Sequence, residues 1–255
     1  MTSISVVIPA LNDAVMLERC LADLSTQSRQ ADEIILVDNG STDATADIAR
    51  AAGARVLSEP LRGIWPAAAA GYDAATGEII ARLDADSRPP VDWLARIETE
   101  FAGSPEITIL TGPGDFYGGN WFVRILGQYL YMDGYFWSMS LWLGHSPVYG
   151  SNFAMRNETW QDVRGRVHRA VRTIHDDLDL SIHLQPHQTV RLDRSLRVGI
   201  SARPFDTWRG LGRRIGWAYL TLRLHWPEET PVRRRAARRR WKAGTRDREL
   251  PEAIA

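Results

Sequence analysis

Four short polar clusters carry the residue types that chemistry requires. Asp84-Ala85-Asp86 sets two carboxylates one residue apart. Carboxylate oxygens at that spacing suit a hard divalent cation, Mg²⁺ or Mn²⁺, which keeps several waters and also binds substrate phosphates. Val37-Asp38-Asn39-Gly40-Ser41-Thr42-Asp43 offers Asp38 and Asn39 to a base or ribose edge. Gly40 permits close backbone approach, and Ser41 or Thr42 can cap a following helix. Pro9-Ala10-Leu11-Asn12-Asp13 is a third polar turn after an apolar run. The fourth, His175-Asp176-Asp177-Leu178-Asp179, gathers three carboxylates near a helix start, where free N–H groups and the helix dipole favour anions. Each cluster alone has a plainer reading as a solvated turn, a cap or a first-turn acid.

The elements around these clusters alternate. Ile4–Pro9, Glu33–Asp38, Arg55–Leu57, Glu78–Leu83 and Ile107–Leu110 read as strands, several of them apolar runs of the kind buried on both faces. Between them, helices are predicted over 13–27, 42–52, 66–75 and from Pro89-Pro90 to Ala102, the first with Val15, Leu17, Cys20, Leu21 and Leu24 on an apolar stripe. This alternation predicts an α/β fold with a mixed, mostly parallel sheet flanked by helices, and ligand chemistry at the carboxyl ends of its strands. All of the first three polar clusters fall at such ends. Neither GxGxxG nor GxxxxGK[ST] follows the first strand, which disfavours dinucleotide-binding and P-loop chemistry. Beyond a glycine-rich loop at 113–120 the pattern predicts a strand over 148–155, a helix from about Asp176, a short hairpin over 188–200 and an amphipathic helix over 206–225.

With 255 residues, 44% hydrophobic and 24% charged, the composition is that of a globular chain that needs no disulfide or structural-metal staple. A single cysteine, Cys20, excludes an intrachain disulfide. The start, MTSISVVIPA, lacks a basic region and a long apolar run, so no signal peptide is expected and the chain is read as cytoplasmic. Zero net charge conceals an asymmetry: residues 203–255 hold 14 Lys+Arg against 6 Asp+Glu, leaving 17 against 25 in the remainder. An acidic body with a basic end suits a carboxylate site beside a segment drawn to anionic surfaces.

The ordered blocks VVIPALND, VDNGSTD and LDAD-SRPP-DWL resemble the family 2 glycosyltransferases, whose fold is the nucleotide-sugar-binding GT-A fold. The likeness is strong over 3–112 and continues through Tyr149-Gly150-Ser151-Asn152-Phe153-Ala154-Met155-Arg156, similar to the family's acceptor-side strand, and through His175–Leu180, similar to its E-D-x-D-L segment. The resemblance implies that Pro9, Ala10 and Asp13 line the base and ribose, that Asp38 with Asn39 reads the base edge of a UDP- or GDP-sugar, and that Asp84 lies near the ribose. It implies that Asp86 holds the cation on the diphosphate, and that Asp177 is the general base for a hydroxyl acceptor, giving an inverted anomeric product. Asn152 and Asp176 are assigned to the acceptor side. Asn39 stands where many members have aspartate, Asp176 where many have glutamate, and Ala69 where a polar residue is usual; Arg62 or Arg82 is the candidate to replace that contact. Arg213-Arg214-Ile215-Gly216-Trp217 resembles the QxxRW block of polysaccharide synthases without its glutamine, making Arg213 and Arg214 candidate diphosphate partners or simply a solvated helix face. His183, His187 and His225 are further candidate metal or phosphate ligands, each more simply read as isolated.

The resemblance divides the chain into a catalytic domain over 1–205, with a nucleotide-sugar half at 1–112 and an acceptor half at 113–205, followed by an amphipathic helix and arginine-rich tail at 206–255. Charges at Arg124 and Asp133 disfavour a membrane span for the aromatic stretch 121–143, which reads either as an interfacial helix or as a helix buried under the acceptor site or in a dimer contact. Six arginines in 233–240 suit anionic lipid, nucleic acid being less expected without a recognition module. Peripheral contact with the inner face of the plasma membrane and a lipid-linked or cell-envelope acceptor are the corresponding expectations. A nucleotidyltransferase would need a glycine-rich basic loop that VVIPALND lacks, whereas the alanine-rich 63–71 segment fits a nucleotide-sugar-binding protein without turnover.

Overall fold

The computed structural model describes residues 2–118, 127–203 and 208–249; residues 121–126 of the aromatic stretch and the chain beyond 249 lie outside them. Seven strands form one sheet in the order β3-β2-β1-β4-β7-β5-β8. They are β1 (Ile4–Ala10), β2 (Glu33–Asp38), β3 (Arg55–Ser58), β4 (Ile79–Arg82), β5 (Ile107–Thr111), β7 (Phe153–Arg156) and β8 (Thr189–Leu192). β7 alone runs against its neighbours, β4 and β5. This is the mixed, mostly parallel sheet that the alternation predicts.

All seven residues of β1 are buried, and its side chains alternate between two cores. Ile4, Val6 and Ile8 pack with Leu17, Leu21 and Leu24 of α1 (Ala14–Ser25) and Trp93, Leu94 and Ile97 of α4 (Trp93–Gly103). Val7 packs on the opposite face with Trp65, Ala67, Ala68 and Tyr72 of α3 (Ile64–Ala74) and with Trp160. The small residues of α3 let that helix lie close to the sheet. A Cβ on Gly71 would stand 2.3 Å from Val7 Cγ1 and 2.9 Å from Val37 Cγ2. Val15, expected on the buried stripe of α1, is 63% exposed, because the stripe that meets the sheet runs through Leu17, Cys20, Leu21 and Leu24.

Three further expectations are corrected. Residues 188–200 make no hairpin. β8 joins the main sheet parallel to β5, whereas β9 (Val198–Ser201) pairs in parallel with β6 (Gly114–Tyr117) in a separate two-stranded sheet. The bend between them is pinned outward, with Arg96 donating to Asp193 at 2.6 Å and Asp193 accepting the Ser195 N–H at 2.8 Å. The predicted strand 148–155 is confined to β7, since Val148–Asn152 instead forms the turn that approaches the carboxyl end of β4. Ser41 and Thr42 do not cap α2 (Thr45–Ala51), because both are bound to Asn12: the Ser41 hydroxyl accepts its N–H at 3.0 Å and Thr42 N–H donates to its side chain at 2.7 Å. Asp43 takes over, accepting the Thr45 N–H at 3.1 Å and the Ala14 N–H at 3.2 Å. Asn12 itself has φ 54°, a left-handed conformation that asparagine tolerates.

The later part of the chain is helical. A π-helical segment (Gly127–Asp133) leads into α5 (Gly134–Leu143), followed by α6 (Asn157–Val163), α7 (Asp176–His183), α8 (Trp208–Leu224) and α9 (Pro231–Glu249). Of the arginines in 233–240, Arg234 is buried and donates to the Leu143 and Ser181 carbonyls at 3.3 and 3.2 Å, and also to that of Ile182. Arg238 reaches the Pro186 and Gln188 carbonyls at 3.4 and 3.3 Å. Arg234 closes the carboxyl ends of α5 and α7, where carbonyls lack helical partners, and Arg238 fastens the loop that follows α7. The tail is therefore a docked helix in its first half. Among the described residues, no helix is long and apolar enough to cross a membrane.

Candidate active site

Parallel β1, β2 and β4 end at the same edge of the sheet, so the turns that follow them meet. Opposite them, the turn 149–151 and the start of α7 close a cleft of about 1350 Å³. Pro9, Ala10, Asp13, Asn39, Asp84, Asp86, Asp176, Asp177, Arg213 and Arg214 all line it. Arg62, at the mouth, and Arg82, within, line it as well. Ala69 does not: it is fully buried in the core between α3 and the sheet.

Arg82, the last residue of β4, is the hub of this cleft. Its side chain is 2% exposed, and its two terminal nitrogens reach different carboxylates. One donates to Asp84 at 2.9 Å and the other to Asp176. Asp84 also accepts the Ser151 hydroxyl at 2.5 Å, so the turn before β7 is tied to the turn after β4. A charged residue inside the apolar run EIIARL is the sequence signal for such a role, since an unpaired buried charge would be costly. Ser151 and Arg203 were not legible as site residues: Ser151 lies within a strand-like block, and Arg203 follows no motif.

Asp86 is crowded by negative charge. Burial and the neighbouring Asp84 push its carboxyl up to about 6, against the pull of Arg203. Arg203 bridges Asp86 at 3.2 Å and Asp13 at 3.1 Å with one guanidinium nitrogen. A cationic group thus already sits between two carboxylates from different strand ends, and an oxygen donor set of this kind fits Mg²⁺ or Mn²⁺. Asp177 sits differently. Its carboxylate accepts the Gly150 N–H at 2.9 Å and the Leu178 N–H at 2.8 Å, while burial and the adjacent Asp176 push its pKa up. A carboxylate with a raised pKa is a better proton acceptor when ionised. His175, just before α7, contacts the Arg214 carbonyl through Nε2 at 2.9 Å, joining α7 to α8 beside the cleft.

Two expected site residues stand elsewhere. Asn152 is fully buried, accepting from Trp93 Nε1 at 2.9 Å and donating to the Leu196 carbonyl at 2.7 Å, so its side chain braces the floor behind the cleft. Asp38 does not line the cleft; it accepts the Ser41 N–H at 2.8 Å and shapes the turn after β2. Asn39 lines the cleft, but its amide donates to the Glu59 and Leu61 carbonyls at 2.8 and 2.9 Å and accepts the Gly63 N–H at 2.7 Å. An aspartate could not make the two donations, which is a physical reason for asparagine at this position.

The fold is the GT-A fold. The structure of glucosyl-3-phosphoglycerate synthase from Mycobacterium tuberculosis, in complex with Mn²⁺, UDP and phosphoglyceric acid, superposes with a TM-score of 0.60 at 23% identity, covering 87% of this chain and 77% of that one. The mannosyltransferase PcManGT of Pyrobaculum calidifontis, in complex with GDP-Man and Mn²⁺, gives 0.60 at 20% identity over 78% of this chain and 56% of that one. In sequence, the glycosyltransferase AglE of Haloferax volcanii is 31% identical over 126 residues, 46% of this chain and 38% of its own length. A PGL/p-HBAD biosynthesis glycosyltransferase of Mycobacterium bovis is 38% identical over 109 residues, 40% of this chain and 42% of its own. Residues 5–163 match the family described as glycosyl transferase family 2, and the chain belongs to that family. It spans about two fifths of the length of these two curated relatives.

Proposed function

We propose that this chain carries the catalytic centre of a metal-dependent inverting glycosyltransferase that moves a sugar from a UDP- or GDP-sugar to a hydroxyl acceptor. The observation that carries this reading is the single cleft in which Asp84 and Asp86 at the β4 end meet Asp176 and Asp177 at the start of α7, with Arg82 between them. The UDP and GDP-mannose complexes of the two structural relatives, both with Mn²⁺, support the donor class.

Asp86, with Asp84 beside it, would hold Mg²⁺ or Mn²⁺, which neutralises the charge that builds on the diphosphate as the glycosidic bond breaks. Pro9, Ala10, Asp13 and Asn39 form the wall on which the nucleoside rests. Arg82 holds Asp84 and Asp176 in place through its two terminal nitrogens. Asp177, oriented by the Gly150 and Leu178 N–H groups, takes the proton from the acceptor hydroxyl as its oxygen attacks the anomeric carbon. Attack opposite the departing diphosphate inverts the anomeric configuration. Arg213 and Arg214 add positive charge to the C-terminal wall of the cleft.

The acceptor side supports a substrate with an apolar portion. Trp137 and Ile215 line the cleft yet are 69% and 61% exposed. Nine of the thirteen exposed large hydrophobics among the described residues fall between 137 and 241, a concentration that suits a lipid-linked acceptor met at a membrane surface. Transfer and nucleotide binding separate the roles. With Mn²⁺ and UDP- or GDP-sugars, Asp86→Ala should abolish metal-dependent nucleotide binding. Asp177→Asn should leave that binding intact and lower turnover by about 10²–10⁴-fold. Wild-type turnover by Asp177→Asn would refute the base assignment.

A further inference from the structure

Behind α7, away from the carboxylates of the cleft, three imidazoles converge on one oxygen. Asp179 is fully buried, and its Oδ2 is occupied by the Trp65 Nε1–H and the His168 backbone N–H, both at 2.8 Å. Oδ1 faces only histidines among its recorded partners: His168 Nδ1 at 2.9 Å, His225 Nε2 at 3.1 Å and His183 Nδ1 at 3.7 Å. The three rings lie with centroids 5.0–5.2 Å apart. Asp179 and His183 are one helical turn apart on α7, so both project from one face. His168 comes from the loop before α7, and His225 follows α8.

The protons decide what this arrangement lacks. His225 Nδ1 lies 2.7 Å from the Thr221 carbonyl and His183 Nδ1 lies 2.8 Å from the Asp179 carbonyl. A carbonyl only accepts, so in both rings Nδ1 bears the hydrogen and Nε2 of the neutral ring is a bare lone pair. His225 Nε2 is buried, makes no hydrogen bond, and stands against a carboxylate oxygen. Two acceptors in contact require either a proton on His225 Nε2 or a metal cation beside both. Imidazoles whose other nitrogen is held by a backbone carbonyl are oriented as metal ligands are.

We propose that His168, Asp179, His183 and His225 form a structural zinc site. One ligand atom from each residue lies within 4.8 Å of all the others. Bonds of about 2.0–2.2 Å set tetrahedral ligand atoms about 3.4 Å apart, so the widest separations would close and the 3.1 Å contact of His225 with Asp179 would open slightly. Three nitrogens and one carboxylate oxygen suit zinc better than the all-oxygen set around Asp86 does. Four protein ligands leave no open position, so the ion fixes structure and takes no part in transfer. It would pin α7, which bears Asp176 and Asp177, to the end of α8, which bears Arg213 and Arg214.

The test uses the tag-free full chain. After stripping with a chelator and dialysis, one equivalent of Zn²⁺ should be taken up, the melting temperature should rise, and Co²⁺ in its place should give the strong visible absorption of a tetrahedral site. Asp86→Ala should keep all three properties. His168→Gln, whose side chain is 35% exposed, and His225→Gln should each weaken zinc binding about tenfold or more and abolish the cobalt spectrum. Zinc uptake lost in Asp86→Ala and kept in the histidine variants would overturn the proposal. So would a stripped wild-type protein that takes up no zinc and melts at the same temperature with or without it, since a proton on His225 would then be the cation. That last measurement needs no variant and decides the matter even if His225→Gln does not fold. None of these readouts depends on sugar transfer.

Discussion

Residues 2–112 and the region from 127 to 249 solve the same problem by different means. The first half is built from βαβ units whose crossovers bring three polar turns to one sheet edge, and its two cores are filled by alternating residues of β1 and β2. Its packing is close enough that the small residues of α3 are required. The second region adds three strands, and its helices are joined by side chains reaching backbone carbonyls: Arg234 to Leu143 and Ser181, and His175 to Arg214. It carries most of the exposed large hydrophobics and packs loosely around α8, where Gly212 and Gly216 have no neighbouring atom in the direction of a Cβ. The contrast teaches that residues 2–112 are placed by βαβ topology, while the later region adds β7 and β8 to the same sheet and core and fastens its remaining helices with polar ties. Arg82 is the charged link between the two at the cleft.

That contrast can be broken most severely at Arg82. Arg82→Ala leaves Asp176, only 6% exposed, as an uncompensated buried charge and should destabilise the fold by about 3–5 kcal/mol in denaturant unfolding. A loss below about 1 kcal/mol would mean that Asp176 finds another partner and that Arg82 is no main link across the cleft.

The ties of the later region are also exposed to pH. Burial, with Arg238 and Arg234 nearby, pushes the His145 pKa down to about 3. The unfolded chain binds a proton near 6.5 and the folded one does not, so stability is full above that value and is lost as pH falls below it. Between pH 7 and pH 5 the loss should approach about 2 kcal/mol, and His145→Gln should flatten the acid limb of the melting temperature.

Smaller effects of opposite sign sharpen the comparison. Gly71→Ala in α3 drives a methyl into Val7 and should cost about 1–3 kcal/mol. Gly216→Ala in α8 meets no atom within 4 Å and should gain about 0.5–1 kcal/mol from helix propensity. Equal effects at both glycines, measured as shifts in the unfolding midpoint, would remove the distinction between a tight and a loose half.

The readability of the sequence follows the same divide. The five strands and four helices of residues 4–111 were legible because buried β-branched runs and 3.6-residue periodicity are local signals, and the polar turns at strand ends follow from parallel topology. Beyond Gly112 the local signal still finds the helices at Asp176–His183 and Trp208–Leu224, but it fails for the strands. Residues 188–200 have the pattern of a hairpin, yet β8 and β9 found better partners in β5 and β6. The run of arginines at 233–240 looks like a solvated tail, yet Arg234 is buried because open carbonyls at two helix ends lay within its reach.

By itself, then, the sequence determined the α/β alternation, the family resemblance and the acidic residues Asp84, Asp86, Asp176 and Asp177 as a set. Only the tertiary structure decided that Asn152 braces the floor, that Asn39 spends its amide on the loop at 59–63, and that Arg82 links the carboxylates of β4 to those of α7. It also decided that three histidines scattered from 168 to 225 face one oxygen. Periodicity and turn chemistry depend on neighbours along the chain, whereas a buried cation or carboxylate takes its role from whichever charges the fold brings within a few ångströms.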